Sequence, residues 1–218
     1  MRQSASACTR GLEFGRAVRR PQTHVAGNVN SPYKEIIAAL LLVFAAYWGL
    51  TATAVKHPKR AEPSASSLLH TVLLLIGFAL IWVKGSRFGL LGARFVPETV
   101  APQVVGVALV AAGVGFAVWA RRVLAADWSH TVTIKVQHRL VQSGPYTIVR
   151  NPIYTGVAVA VLGMALALGE IRGLLGLAFV VAAVWHKGWI EERFLLEEFG
   201  GDYAEYQRKV RFMIPFVL

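Results

Sequence analysis

Apolar residues fall in long blocks along this chain, not in the short periods of a water-soluble fold. Residues 35–55, 68–84 and 99–120 are nearly continuous apolar runs, and 153–185 is a fourth block, broken once by Gly169-Glu170-Ile171-Arg172-Gly173. A helix crosses a bilayer with about 20 mostly apolar residues. The blocks therefore predict an all-α polytopic membrane protein. Two glycines flanking two charges predict a turn, so the fourth block reads as a helical hairpin over 153–185. That gives about five transmembrane helices. The first hairpin arm, 153–168, would reach roughly 24 Å, slightly short for a bilayer. A single tilted helix running through the turn is the rival.

The polar positions punctuate these blocks. Lys56-His57-Pro58-Lys59-Arg60 ends the first span, with proline as a stop and cations for headgroups. Residues 85–98 form a mixed loop in which Phe88, Leu90, Leu91 and Phe95 suit the membrane interface. Gly106, Gly113 and Gly115 in the third span allow close helix approach, and Arg121-Arg122 closes that span. Beyond His186 the pattern turns amphipathic. Trp189-Ile190, Phe194-Leu195 and Phe199 recur at helical spacing, with Glu191-Glu192 and Glu197-Glu198 between them. Gly200-Gly201 should break that helix, and Tyr203, Tyr206 and Val210 mark a second, short one.

Composition agrees: 55% of the 218 residues are hydrophobic and 16% are charged. The net charge of +11 is spread over the tail and the inter-helix loops. That distribution suits anionic lipid headgroups and predicts no nucleic-acid partner. Cys8 is the only cysteine, which excludes a disulfide framework and a thiolate cluster. Residues 1–34, with Arg2, Arg10, Arg16, Arg19 and Arg20, lack the apolar core of a secretory signal and read as a disordered basic tail. The organisation expected is this tail, three transmembrane helices over 35–120, and a functional region over 121–218. The positive-inside rule, applied to the loop with Lys56, Lys59 and Arg60, puts the polar region and the C-terminus on the cytosolic side of a multi-pass membrane protein.

One stretch stands apart. Ser143-Gly144-Pro145-Tyr146-Thr147-Ile148-Val149-Arg150-Asn151-Pro152-Ile153-Tyr154-Thr155-Gly156 carries two prolines and two glycines, with hydrogen-bonding groups on Tyr146, Arg150, Asn151 and Tyr154. The hairpin behind it returns Glu191-Glu192 to the same side. A pocket there could take a water-soluble cofactor from one side and a lipid from the other. No Ser/His/Asp grouping or Walker loop stands out. His130, His138 and a C-terminal glutamate fit no recognised zinc spacing, so no metal is expected.

These residues resemble a known family. Trp128-Ser129, Ile134-Lys135, His138-Arg139-Leu140-Val141-Gln142-Ser143-Gly144-Pro145-Tyr146 and Val149-Arg150-Asn151-Pro152-Ile153-Tyr154-Thr155-Gly156 resemble the isoprenylcysteine carboxyl methyltransferase family of integral membrane enzymes. Glu191-Glu192, Leu195, Phe199-Gly200, Tyr203, Tyr206, Val210 and Ile214-Pro215 are similar to its C-terminal motif. The resemblance covers roughly residues 125–218. It implies S-adenosylmethionine as methyl donor, with S-adenosylhomocysteine as product. It also implies a cytosol-facing cofactor pocket built from the polar loop, the hairpin and the C-terminal amphipathic helix. By position, His138, Leu140, Val141, Gly144, Pro145, Tyr146, Pro152 and Tyr154 would line the cofactor. Arg150, Glu191 and Glu192 would be the catalytic group, and Lys187 and Arg193 would help orient the acceptor. The family usually has histidine where this chain has Asn151, and often arginine where it has Lys187.

The resemblance implies methyl transfer to a lipid-like or prenylated acceptor, most simply carboxyl methylation of the isoprenylcysteine type. A carboxylate acceptor is already a nucleophile, so the task is alignment and exclusion of water. Two other classes are weighed: an NADPH-dependent sterol-type membrane reductase, and a non-catalytic membrane scaffold. Neither the acceptor nor the oligomeric state is legible.

Overall fold

The computed structural model describes residues 32–52, 64–83, 89–129 and 140–215. Six α-helices occur among them: α1 (Tyr33–Ala52), α2 (Ser64–Trp82), α3 (Val100–Ser129), α4 (Pro152–Leu168), α5 (Ile171–Phe199) and α6 (Gly201–Lys209). Single 3-10 turns lie at Gly89–Gly92 and Gly144–Thr147. Four helical stretches are long and apolar enough to cross a membrane: Tyr33–Thr51, Ser64–Trp82, Val100–Leu124 and Ile171–Phe199. α4 is apolar but shorter, 17 residues. The protein is a multi-pass, all-α membrane protein, with four full-length spans and one short apolar helix among the described residues.

The hairpin turn lies where two glycines and two charges predicted it, which overturns the single-helix rival. Gly169 has φ +69 and donates its N–H to Ala165 O at 2.9 Å, closing α4. Most side chains would strain that left-handed backbone. The 89–98 loop holds the turn from outside: Phe95 N–H donates to Gly169 O, and Ile171 N–H to Ala93 O, both at 2.9 Å.

Two helices run further than expected. α3 does not close at Arg121-Arg122 but continues to Ser129. Each of those arginines finds an aromatic face on α1, Arg121 at 4.6 Å over Trp48 and Arg122 at 5.9 Å over Tyr47. Long cationic stems reach the interface this way without ending a helix. Likewise α5 passes through His186 without a break and ends only at Gly200, φ +53. Its upper part is made of good helix formers such as Glu, Leu and Arg, so the second hairpin arm and the amphipathic helix are one rod.

Small residues set the packing. A Cβ on Gly106 would lie 2.6 Å from Gly163 O, and one on Gly156 2.5 Å from Gly113 O, so α3 and α4 touch backbone to backbone. Gly77 and Gly176 do the same for α2 and α5, at 2.9 Å and 2.7 Å. Such contact is how apolar helices associate where burial from water offers no drive. Gly115 faces open space and takes no part, contrary to expectation.

Candidate functional site

The polar stretch, the top of α5 and the tail behind α6 meet at one end of the helix bundle. Backbone pairing aligns them first. Arg150 N–H donates to Arg211 O at 2.8 Å, and Asn151 N–H to Phe212 O at 3.0 Å, within a parallel bridge between Val149 and Arg211. Pro152 opens α4, a position where its missing N–H costs nothing. Thr155 Oγ1 donates to Met213 O at 2.7 Å, tying the first turn of α4 to the tail.

This frame delivers Arg150 to Glu192. Nε donates to Oε1 at 2.7 Å and Nη2 to Oε2 at 3.0 Å, a two-point pair. Nη1 donates to the carbonyls of Gln207 and Val210 at the end of α6, at 3.1 and 2.5 Å. Four of the five guanidinium N–H groups are thereby used. Glu192 is as fully engaged. Asn151 Nδ2 reaches Oε1 at 3.1 Å, Gln207 Nε2 reaches Oε2 at 3.0 Å, and the Tyr203 hydroxyl bonds it as well. Glu192 is 7% exposed and Asn151 9%. A buried charge pair holds only when such extra bonds satisfy it.

Glu191, the neighbour of Glu192 on α5, faces elsewhere. The Tyr154 hydroxyl donates to its Oε1 at 2.6 Å. The Tyr146 phenol is pushed well above its usual range by burial, then by the Glu191 charge, with Arg121 opposing. Tyr203 and Tyr206 are likewise raised, chiefly by burial. All three phenols are therefore neutral donors at any physiological pH. The Tyr206 hydroxyl donates to Tyr146 O at 2.6 Å, fixing the 3-10 turn to α6. Gly144 allows that turn its φ of +58 and presents its Cα to Trp119 and Val123 of α3.

Arg150, Asn151, Tyr146, Tyr154, Glu191 and Glu192 thus come together. Pro145 and Pro152 are fully buried in the frame, and Leu140 and Val141 lead into it, half-buried. Lys187 lies one turn before Glu191, half-buried. Arg193 is exposed and stacks over Trp189 at 5.0 Å, outside the cluster. His138, its neighbours 130–139 and the side chain of Trp128 lie outside the described residues. Sequence reasoning missed Gln207, which clamps the second oxygen of Glu192. It adjoins Tyr206, but a lone glutamine on an amphipathic helix carries no pattern. It also missed that Asn151 keeps a donor on Glu192.

The donor set suits a cationic, zwitterionic cofactor of the S-adenosylmethionine type. Glu191 offers an anion for a sulfonium or an ammonium. Tyr146 and Tyr154 offer aromatic rings and hydroxyls, and the Arg121 charge acts on Tyr146.

The sequence matches known proteins over part of its length. Residues 102–202 match the phospholipid methyltransferase family. The chain is 34% identical over 94 residues to the protein-S-isoprenylcysteine O-methyltransferase of Saccharomyces cerevisiae, covering 42% of this chain and 39% of that one. It is 33% identical over 100 residues to protein-S-isoprenylcysteine O-methyltransferase B of Arabidopsis thaliana, covering 44% and 51%. A probable protein-S-isoprenylcysteine O-methyltransferase of Oryza sativa subsp. indica is 31% identical over 100 residues, covering 44% and 52%. The chain thus spans about half, or less, of the length of these curated relatives.

Proposed function

We propose that this chain, whose residues 102–202 relate it to the phospholipid methyltransferase and isoprenylcysteine carboxyl methyltransferase group, methylates a lipid-like acceptor at the membrane surface. The donor is S-adenosylmethionine, and carboxyl methylation of the isoprenylcysteine type is the preferred chemistry. The observation that carries this reading is the division of labour between adjacent carboxylates. Glu192 is saturated by Arg150, Asn151, Gln207 and Tyr203, so it anchors the frame. Glu191 instead accepts from the Tyr154 hydroxyl and raises the Tyr146 phenol, and in this reading its carboxylate is the one that meets the cofactor.

When bound, S-adenosylmethionine supplies an electrophilic methyl group, which an acceptor carboxylate takes by in-line displacement. The chain's residues do the rest. Glu191 holds negative charge beside the cofactor's cationic end, oriented by the Tyr154 hydroxyl. Arg150 is a positioning residue: it fixes Glu192, and so α5 and α6, against the loop. Leu140, Val141, Gly144 and Pro145 form the wall that excludes water. An ionised carboxylate gives up no proton, so no general base is needed, and the untitratable Asn151 is compatible with turnover. The site faces the cytosol in this proposal. The sequence between α1 and α2 carries Lys56, Lys59 and Arg60, which the positive-inside rule assigns to the cytosolic side.

Calorimetric titration of the detergent-solubilised protein tests the reading. S-adenosylhomocysteine should bind and NADPH should not. Binding of NADPH alone would establish the reductase, and binding of neither would establish the scaffold.

A further inference from the structure

One turn of α3, residues 119–123, faces two ways. Trp119 and Val123 cradle Gly144: a Cβ there would lie 3.6 Å from Trp119 Cζ2 and 3.1 Å from Val123 Cγ2. Arg121, about 200° round the helix from Trp119, turns to α1. Its Nη2 donates to Thr51 O at 3.2 Å, and its guanidinium lies 4.6 Å from the centre of the Trp48 ring. Arg122 lies 5.9 Å over Tyr47. Thr51 is in the last turn of α1, which carries no basic residue of its own. Arg121 therefore supplies the cation that the orphan carbonyls there favour.

The charges at this junction do not balance. Elsewhere Arg150 pairs with Glu192, Arg172 with Glu170 and Arg94 with Glu98. Arg121 and Arg122 pair with no carboxylate among the described residues. Against two full cations, the end of α1 offers about half a negative charge. Arg121 uses one of its five N–H groups, and the exposed Arg122 uses none, among the described residues. Stacking on an aromatic face fixes a guanidinium plane and leaves its N–H edge open, the geometry that grips a phosphate at two points.

The level of the pair decides where that phosphate comes from. The apolar stretches of α1 and α3 run to Thr51 and Leu124. Both arginines thus lie where a span meets headgroups, and Tyr47 and Trp48 are aromatics of that belt. Leu50 and Trp119 are exposed at the same level, apolar surface for acyl chains. The sequence following α1 adds Lys56, Lys59 and Arg60, and basic segments beside a span draw anionic lipids. An acidic protein segment would leave the apolar flank bare.

We propose that Arg121 and Arg122, held on Trp48 and Tyr47, bind the phosphate of an anionic phospholipid that is not a methyl acceptor. Arg121 lies close enough to the candidate site for its charge to act on the Tyr146 phenol. A phosphate on Arg121 cancels a cation that opposes a sulfonium in that site; this consequence rests on the methyltransferase reading.

The full chain is placed in nanodiscs of phosphatidylcholine with phosphatidylglycerol, released, and weighed by native mass spectrometry. It should retain phosphatidylglycerol. Arg121→Gln and Arg122→Gln should each weaken retention roughly fivefold, the factor that one cation at an anionic surface carries. Arg122 makes no hydrogen bond among the described residues, so its variant should keep the Tm of the wild type. Equal retention of the two lipids, retention unchanged in both variants, or displacement by inorganic phosphate alone would each overturn the proposal. Calorimetry in the same nanodiscs reads the consequence. Sinefungin carries an ammonium in place of the sulfonium. Phosphatidylglycerol should tighten its binding roughly threefold more in the wild type than in Arg122→Gln, which feels only the general surface charge. S-adenosylhomocysteine, with an uncharged thioether at that atom, should show no such difference. Retention of phosphatidylglycerol without binding of either nucleoside would keep the lipid site and sink the methyltransferase reading. Binding of both nucleosides without selective retention would do the reverse.

Discussion

α5 carries a buried arginine–carboxylate pair at each end, and the two are built for different work. At the hairpin end Arg172, 4% exposed, pairs with Glu170 at 2.6 Å and turns its Nη1 to the carbonyls of Leu80, Ile81 and Val83. Those carbonyls lie in and just beyond the last turn of α2, where intrahelical partners run out. Arg172 is thus a cap for α2, and Glu170 steadies it. At the other end Arg150 also caps a helix, through Gln207 O and Val210 O of α6, but its carboxylate partner is itself a hub. Asn151, Gln207 and Tyr203 converge on Glu192 from two further elements, and Glu191 is the next residue. An arginine beside helix-end carbonyls is a fold device at both ends. At the site end the neighbouring carboxylate, Glu191, turns to a different partner, the Tyr154 hydroxyl.

The sharpest break of this comparison is to remove each acid in turn. Glu192→Ala leaves Arg150 buried with only backbone acceptors and strips Asn151 and Gln207 of theirs, so it should cost about 3–5 kcal/mol. Glu170→Ala leaves Arg172 its three carbonyl acceptors and strips no other side chain of a partner, and should cost about 1–2 kcal/mol. In thermal unfolding in detergent, Glu192→Ala should lose far more Tm. It should also lose S-adenosylhomocysteine affinity, which Glu170→Ala should retain. Equal losses in Tm, with affinity kept in both, would make the two ends equivalent and remove the site end's special role.

The asymmetry was half legible in the sequence. The apolar blocks fixed the spans, and Gly169-Glu170-Ile171-Arg172-Gly173 fixed the turn, because turn chemistry is local. The convergence of the polar stretch with Glu191-Glu192 followed from counting helices. The pairing itself did not. Nothing in the spacing distinguishes Glu192, turned inward to Arg150, from Glu191, turned to Tyr154, because adjacent helical residues differ by about 100° and one degree of rotation is as good as another until packing chooses. Arg150 read as a member of the catalytic group; its partners Gln207 and Val210 lie in and just after a helix whose docking depends on backbone pairing after its end. Helix length was misjudged for a related reason. Arg121-Arg122 and His186-Lys187 look like stops, but charge ends a membrane span without ending a helix.

Asn151 sharpens the comparison at the next scale. Its amide donates to a charged, buried oxygen, a bond worth about 1.5–3 kcal/mol, and Gly188 leaves room for its Oδ1, 3.4 Å from where a Cβ would stand. Asn151→Ala should lose roughly that amount in Tm-derived stability. Asn151→His should recover most of it and introduce a pH dependence. A histidine beside Glu192 has its pKa raised, so its contribution is full below the ordinary value of about 6.5 and fades as pH rises through the raised one. Thermal unfolding across pH 5–8 would show the trend in the histidine variant and not in the wild type. A flat profile in both would mean that the position does not feel Glu192.

The smallest effect, and the most local, is at alkaline pH. Tyr146, Tyr203 and Tyr206 all have pKa values raised above the ordinary tyrosine value of about 10, mainly by burial and then by Glu191, Glu192 or one another. The folded protein keeps these protons where the unfolded chain has lost them. Stability is therefore complete below about pH 10 and falls as pH rises beyond it. The hairpin-end cluster of Arg94, Glu98, Glu170 and Arg172 contains no phenol, so the alkaline loss should begin at the site end. Hydrogen exchange at pH 10 to 11 should show α6 and the 143–151 stretch opening before residues 169–173. Tyr203→Phe should flatten the alkaline fall while costing about 1 kcal/mol at neutral pH, through the lost bond to Glu192. Simultaneous opening of both ends would show that the bundle unfolds as one unit and that the tyrosine-lined end has no stability of its own.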